Sequence, residues 1–223
     1  MTVASKKIVT VVAGKLLLYA TIPYQKLILV LKVLIFGGVS LTLNGKGFKV
    51  NISKDNTFKI ESVSYVQYDN VMVPNGFLCS DSYETLSVVI DNYVNERRIA
   101  IILSQSFADY EIAILSGYDL IMLVNTELLI IDCQTLELKI QKELPEGFYF
   151  SIHNYDDGYL IYGELDIIKV SSAPYYDVEW MFSGADIFVT QDNTSPFCVK
   201  GAYVYLKDWN GQEYIVDRNG KEL

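Results

Sequence analysis

Few residues in this chain have the type and spacing that chemistry requires. The single histidine, His153, stands in Ser151-Ile152-His153-Asn154. A zinc site needs further ligands of its kind, and a nucleophile needs a base held by a third group. No motif flanking His153 supplies either. A structural or solvent-facing histidine is therefore expected. Cys79, Cys133 and Cys198 lie far apart, with neither metal-ligand nor redox spacing. Their odd number fits a reducing compartment, so the cytoplasm is expected. Asp156-Asp157-Gly158 offers two adjacent carboxylates. Between strands this is first of all turn chemistry, because Asp bonds its own backbone and Gly supplies positive φ. Gly45-Lys46-Gly47 precedes a strand and not a helix, which argues against a phosphate loop. The expectation is a non-enzyme with no catalytic, metal or cofactor residues and no cofactor.

Aromatic residues are the remaining candidates. The chain has 17 tyrosines and two tryptophans. Tyr175, Tyr176, Trp180 and Trp209 cluster in or beside its last two repeats and are expected to contact a partner, since rigid amphipathic rings suit interfaces. Trp209, between Asp208 and Asn210-Gly211, is expected in an exposed turn. Tyrosine also fits a half-buried pleated surface, so enrichment alone assigns no site.

Charge narrows the partner. There are 27 acidic and 18 basic residues, a net charge of −9. Nucleic acid is disfavoured, because phosphate binding is driven by clustered Lys and Arg. A basic protein partner is permitted, since a negative field steers it inward. Lys6 and Lys7 precede an apolar run as in a signal peptide, but Lys15 interrupts that run. The apolar stretch Leu27 to Leu43 contains Lys32 and is broken by Gly37-Gly38, short of the ~20 residues of a spanning helix. Both are read as buried strands, with no membrane partner.

The elements that must position these residues are strands. With 51% hydrophobic and 20% charged residues the chain can bury a sizeable core. Helical periodicity is almost absent, and short runs of Val, Ile, Tyr and Phe alternate with Gly, Asn and Asp. Ile8 to Ile22 reads as a hairpin turning at Ala13-Gly14-Lys15, and Leu41 to Ile52 as one turning at Asn44-Gly45. Downstream, four-strand units repeat. One runs from Tyr110 to Ile140 and the next from Phe148 to Phe182. An upstream unit is read as Val63-Val66, Tyr68-Val73, Leu86-Asp91 and Arg98-Leu103. Tyr-Asp opens the second strand at Tyr68, Tyr118 and Tyr155, with Gln191-Asp192 a weaker fourth. An apolar run ending in Asp closes the third at Asp91, Asp132 and Asp217, with Lys169 or Val170 at that place in the unit between. The last unit is read as Ile187-Thr190, Phe197-Leu206 and Glu213-Asp217, without a fourth strand.

Periods near forty residues with four strands each resemble β-propeller blades. The resemblance rests on residues 61–223 and includes no Gly-His…Trp-Asp pair. It implies one all-β domain over 1–223, a small propeller of about five blades closed by the strand Lys7 to Val12. The alternative architecture is a twisted β-sandwich of hairpins. As function, it implies a module that holds a protein partner, and the acidic charge and tyrosine content extend that expectation to an inhibitor or immunity-type antidote. The alternative is a carbohydrate-binding or glycoside-hydrolysing propeller, which needs two carboxylates about 5 to 10 Å apart in a funnel.

Overall fold

The computed structural model describes residues 8–12, 15–19, 40–58, 67–74, 83–103, 112–190 and 195–223. They fall in two units, Met1–Val39 and Ser40–Leu223. In the first, β1 (Ile8–Val12) and β2 (Lys15–Tyr19) form the expected antiparallel hairpin. The rest of Leu27–Leu43 before residue 40 lies outside the described residues.

The second unit is all-β and built of antiparallel meanders of the propeller-blade type. β8 (Ala113–Ser116), β9 (Asp119–Val124), β10 (Glu127–Asp132) and β11 (Leu138–Glu143) make one four-stranded sheet. β12 (Tyr149–Tyr155), β13 (Gly158–Gly163), β14 (Asp166–Ser171) and β15 (Val178–Ser183) make the next. The third and fourth runs of each expected unit overlap these strands, with Leu136 and Leu165 just outside them. β16 (Phe197–Lys200), β17 (Tyr203–Lys207) and β18 (Glu213–Val216) make a three-stranded sheet. Among the described residues this last sheet has no fourth strand, as expected. The strand expected to replace it, Lys7 to Val12, belongs to the other unit, where its described residues form β1 of the hairpin.

Three further readings change. Ile187–Thr190 is not a strand; Phe188 is buried there and its N–H donates to Glu164 O at 2.6 Å. Phe197–Leu206 is a hairpin turning at Gly201-Ala202. The upstream unit takes its first two strands from β3 (Leu41–Gly45) and β4 (Phe48–Lys54), followed by β6 (Glu84–Asp91) and β7 (Glu96–Leu103). Phe48, Val50 and Ile52 alternate inward along β4 and join the same core as Val88 and Ile90 of β6. The hairpin turns at Lys46-Gly47, two residues beyond Asn44-Gly45. Gly45 is needed because a Cβ there would lie 2.4 Å from the Phe48 ring. Tyr68–Val73 contributes β5 (Asn70–Met72), which lies parallel to β7 at the sheet edge. Asp69 starts that pairing by accepting the Arg98 N–H at 2.7 Å through Oδ2. Val63–Val66 and Gln191-Asp192 lie outside the described residues.

The sheets stack face to face. Tyr159, Ile161, Ile168 and Val170 pack into one core with β4, β6, β9 and β10. Leu160 and Ile167, on the opposite face of the same strands, pack with Phe188, Val204, Leu206 and Val216. Sheets covered on both faces need continuous apolar runs and not alternation, hence Leu-Ile-Met-Leu-Val at 120–124 and Leu-Leu-Ile-Ile at 128–131. The first strand β8 lies against the first strands β3 and β12 of its neighbouring sheets.

A second tie recurs at β7, β11 and β15, the fourth strands of their meanders. Each sends a side-chain donor to a backbone carbonyl in the loop after the third strand of the following sheet. Arg97 Nη1 reaches Gln134 O at 3.3 Å, Lys142 Nζ reaches Tyr175 O at 3.4 Å, and Trp180 Nε1 reaches Arg218 O at 2.9 Å. Among the described residues no helix is long and apolar enough to cross a membrane.

Candidate functional site

The repeated acids do local work. Asp91 Oδ1 accepts the Tyr93 N–H at 2.7 Å, Asp132 Oδ1 the Gln134 N–H at 2.7 Å, and Asp217 Oδ1 the Asn219 N–H at 2.9 Å. Each carboxylate thereby closes the turn after a third strand. The missing fourth marker is neither Lys169 nor Val170. Ser171 pairs with Gly158 as Asp132 pairs with Asp119, and its Oγ accepts the Asp177 N–H at 2.9 Å. The Tyr-Asp marker also shifts. Asp119 opens β9, whereas Tyr155 ends β12 and Asp156 sits in the turn at φ 52°.

Lys139 Nζ bridges Asp119 and Asp132 at 2.6 and 2.7 Å, and its hydrogen bond to Asp132 is the main reason that carboxyl lies below its ordinary value. Asp157 pairs with Lys169 at 2.8 Å, and this bond likewise lowers its pKa. No group of three or more His, Cys, Asp or Glu is placed to hold a metal among the described residues. His153 Nε2 and Ser151 Oγ lie 2.7 Å apart, and the imidazole packs on Phe197 at 4.9 Å. Ser151 is buried on β12, inside a sheet interface. Burial pushes the Cys133 thiol up to about 12, so it stays protonated and unreactive. Cys79 lies outside the described residues.

The four aromatic candidates do not converge. Tyr175 is exposed in the loop between β14 and β15. Its neighbour Tyr176 is buried and stacks on Tyr159 at 6.1 Å, so its expected partner contact is corrected. Tyr176 adopts φ 52° at the same loop position where Leu136 adopts φ 63°, and both side chains plug the central core. The left-handed strain, about 1–2 kcal/mol, is offset by burying a large side chain. Trp180 is half-buried over the last sheet, held by its bond to Arg218 O. Trp209 is also half-buried, at the opposite strand end in the β17–β18 turn, with its N–H on Ile187 O at 2.8 Å.

What the structure does gather is a different set. In every sheet of the second unit, the first and third turns lie at one end of the strands. The exposed tyrosines among the described residues, Tyr93, Tyr118, Tyr175 and Tyr203, all lie at that end of their sheets. Between the sheets of β3–β7 and β8–β11, these turns enclose a cleft of about 450 Å³. It is lined by Lys46, Asn92, Asn95, Arg97, Tyr118 and Gln134 over a floor of Phe48, Ile90 and Cys133. Tyr118 stacks on Phe48 with centroids 5.6 Å apart and forms the cleft's aromatic wall. Sequence reading missed Lys46, Tyr93 and Arg97. Position was a usable signal for Lys46, between Gly45 and Gly47, and for Tyr93, two residues after Asp91; Arg97, inside β7, carried none.

No protein-family model matches the chain, and no curated protein matches it. Among solved structures it is similar to the Cps50 (Swd1) beta-propeller domain of Myceliophteria_thermophila. The match has 17% identity and a TM-score of 0.41, over 65% of this chain and 55% of that one. It is also similar to BamB of Moraxella catarrhalis, at 11% identity and a TM-score of 0.41, over 84% of this chain and 64% of that one. The chain therefore spans less than two thirds of the length of either structure.

Proposed function

We propose that this chain is a non-enzymatic module that holds a protein partner against the strand end carrying the first and third turns of each sheet. One observation carries the reading: the exposed tyrosines gather at that end, with Tyr93 71% and Tyr175 70% accessible. Exposed tyrosine costs little side-chain entropy to immobilise and supplies both apolar area and a hydroxyl, which makes it an interface anchor. The net charge of −9 favours a basic partner by long-range steering. A small acidic chain of this kind acts as an inhibitor or immunity-type antidote in the cytoplasm, and neither nucleic acid nor membrane is its ligand. A glycosidase reading finds less support, because Asp91, Asp119, Asp132, Asp157 and Asp217 are engaged in turns or ion pairs.

The test is affinity purification from the source cell at low salt, with the Tyr93→Ala/Tyr175→Ala double variant beside the wild type. A partner held by the wild type and released by the variant supports the proposal. Recovery of none, or equal retention by both, overturns it.

A further inference from the structure

We infer that the cleft between the turns of the β3–β7 and β8–β11 sheets is a carboxylate site that takes an acidic side chain of a peptide segment. The inference rests on the proposed binding face and names the chemistry of one contact within it.

The lining is rich in donors and contains no carboxylate, in a protein whose net charge is −9. Lys46 is exposed at the tip of the β3–β4 turn and has no acidic partner among the described residues. Arg97 spends one N–H on Gln134 O at 3.3 Å, and its Nε lies 3.9 Å from Asp69 Oδ1, which leaves donors of the fork for a ligand. Asn92 is fixed in orientation. Its Oδ1 accepts the N–H groups of Val94 at 3.1 Å and Asn95 at 2.7 Å, so the end left for a ligand is its NH₂ group. Two cations and an oriented amide at one opening select an anion.

The nearby acids are engaged elsewhere for the most part. Asp91 is bound to the Tyr93 N–H, Asp119 and Asp132 share Lys139, and Asp69, paired with Arg97 at 3.9 Å through Oδ1, accepts the Arg98 N–H through Oδ2. A lone inorganic ion would leave most of the 450 Å³ unfilled, including the floor of Ile90 and Phe48 and the half-exposed Tyr118 ring. Volumes above about 300 Å³ suit small organic ligands or side chains with an apolar part. The protein's overall negative field repels a polyanion more strongly than a single carboxylate, in proportion to charge. Glutamate beside an apolar or aromatic residue meets both halves of the lining.

The probes are N-acetyl-Phe-Glu-amide and N-acetyl-Phe-Gln-amide, followed by amide NMR shifts of the ¹⁵N-labelled full chain. Glutarate and inorganic phosphate are the comparison ligands. The Glu peptide is expected to shift Gly47, Asn92, Asn95 and the Asn92 side-chain amide, and to bind about tenfold more tightly than the Gln peptide. Lys46→Glu should abolish this preference and Lys46→Arg should keep it; Lys46 is exposed and holds no structural bond, so both variants fold. Equal binding of the two peptides, or a preference that survives Lys46→Glu, overturns the inference. Tighter binding of glutarate would give the cleft to a free dicarboxylate, and tighter binding of phosphate to a phosphorylated ligand; either outcome overturns the peptide assignment. Failure here leaves the tyrosine-dependent protein contact standing, and loss of that contact leaves the carboxylate preference measurable by itself.

Discussion

Removing the Lys169 amine should harm the fold less than removing its two acidic partners. The Lys169 side chain is 3% exposed on β14, with Nζ 2.8 Å from Asp157 and 2.9 Å from Glu179. Its partners are wet: Asp157 is 81% and Glu179 40% exposed. Lys169→Met leaves two carboxylates that simply rehydrate, keeps an unbranched stem of similar length, and gives up only the ammonium's contact with the Tyr155 ring, 5.9 Å from its centroid. The expected cost is about 1 kcal/mol or less. Asp157→Asn with Glu179→Gln instead strands a buried ammonium ion. That should cost about 3–5 kcal/mol, or roughly 6–20 °C in Tm for a chain of this size. The pH dependence separates the variants further. Burial lowers the Lys169 pKa, and the two hydrogen bonds outweigh it, so the native value lies above 10.5. A raised folded pKa means that the stabilisation is complete below 10.5 and is lost as pH rises through the native value. Without the acids only the burial contribution remains and the sign reverses, so the double variant should gain stability as pH rises toward 10.5. Urea midpoints at pH 7 and pH 10, with m-values compared, provide the assay. Equal losses for Lys169→Met and the double variant would refute the argument.

Gly158→Ala should destabilise by about 2–4 kcal/mol, because the new Cβ would sit 2.2 Å from the Val170 carbonyl oxygen. Gly117→Ala, at φ 63° with open space around it, should cost only about 1 kcal/mol; thermal melts of the two should keep that order. Trp180→Phe keeps a ring over the last sheet but loses the bond to Arg218 O, so a urea midpoint lowered by about 1 kcal/mol equivalent is expected. Asp132 has a native pKa below 3.8, so its contribution is present above that value and lost as pH falls through the native one. Acid titration of Asp132→Asn should accordingly show a shallower loss of stability below about pH 4 than the wild type.

Short-range chemistry was legible in the sequence. The Asp that ends a third strand bonds an N–H two residues on, at Asp91, Asp132 and Asp217, so its signature needs no knowledge of the fold. The strands from 113 to 183 were legible for a similar reason, since long apolar runs between turn residues leave few other states. Lateral partnership was not. Leu41–Ile52 and Tyr68–Val73 are both strand-like, and only the pairing of β4 with β6 decides which supplies the inner strands of the upstream sheet. Tyr175 and Tyr176 are identical neighbours in sequence. Tertiary packing makes one an exposed ring and the other a core plug, because the loop turns left-handed at residue 176 and delivers that side chain onto Tyr159. The cleft was equally hidden: Lys46, Asn92 and Gln134 come from turns of two different sheets and Arg97 from the start of β7. Local sequence sets how each turn closes, while contacts between distant segments decide which turns stand side by side.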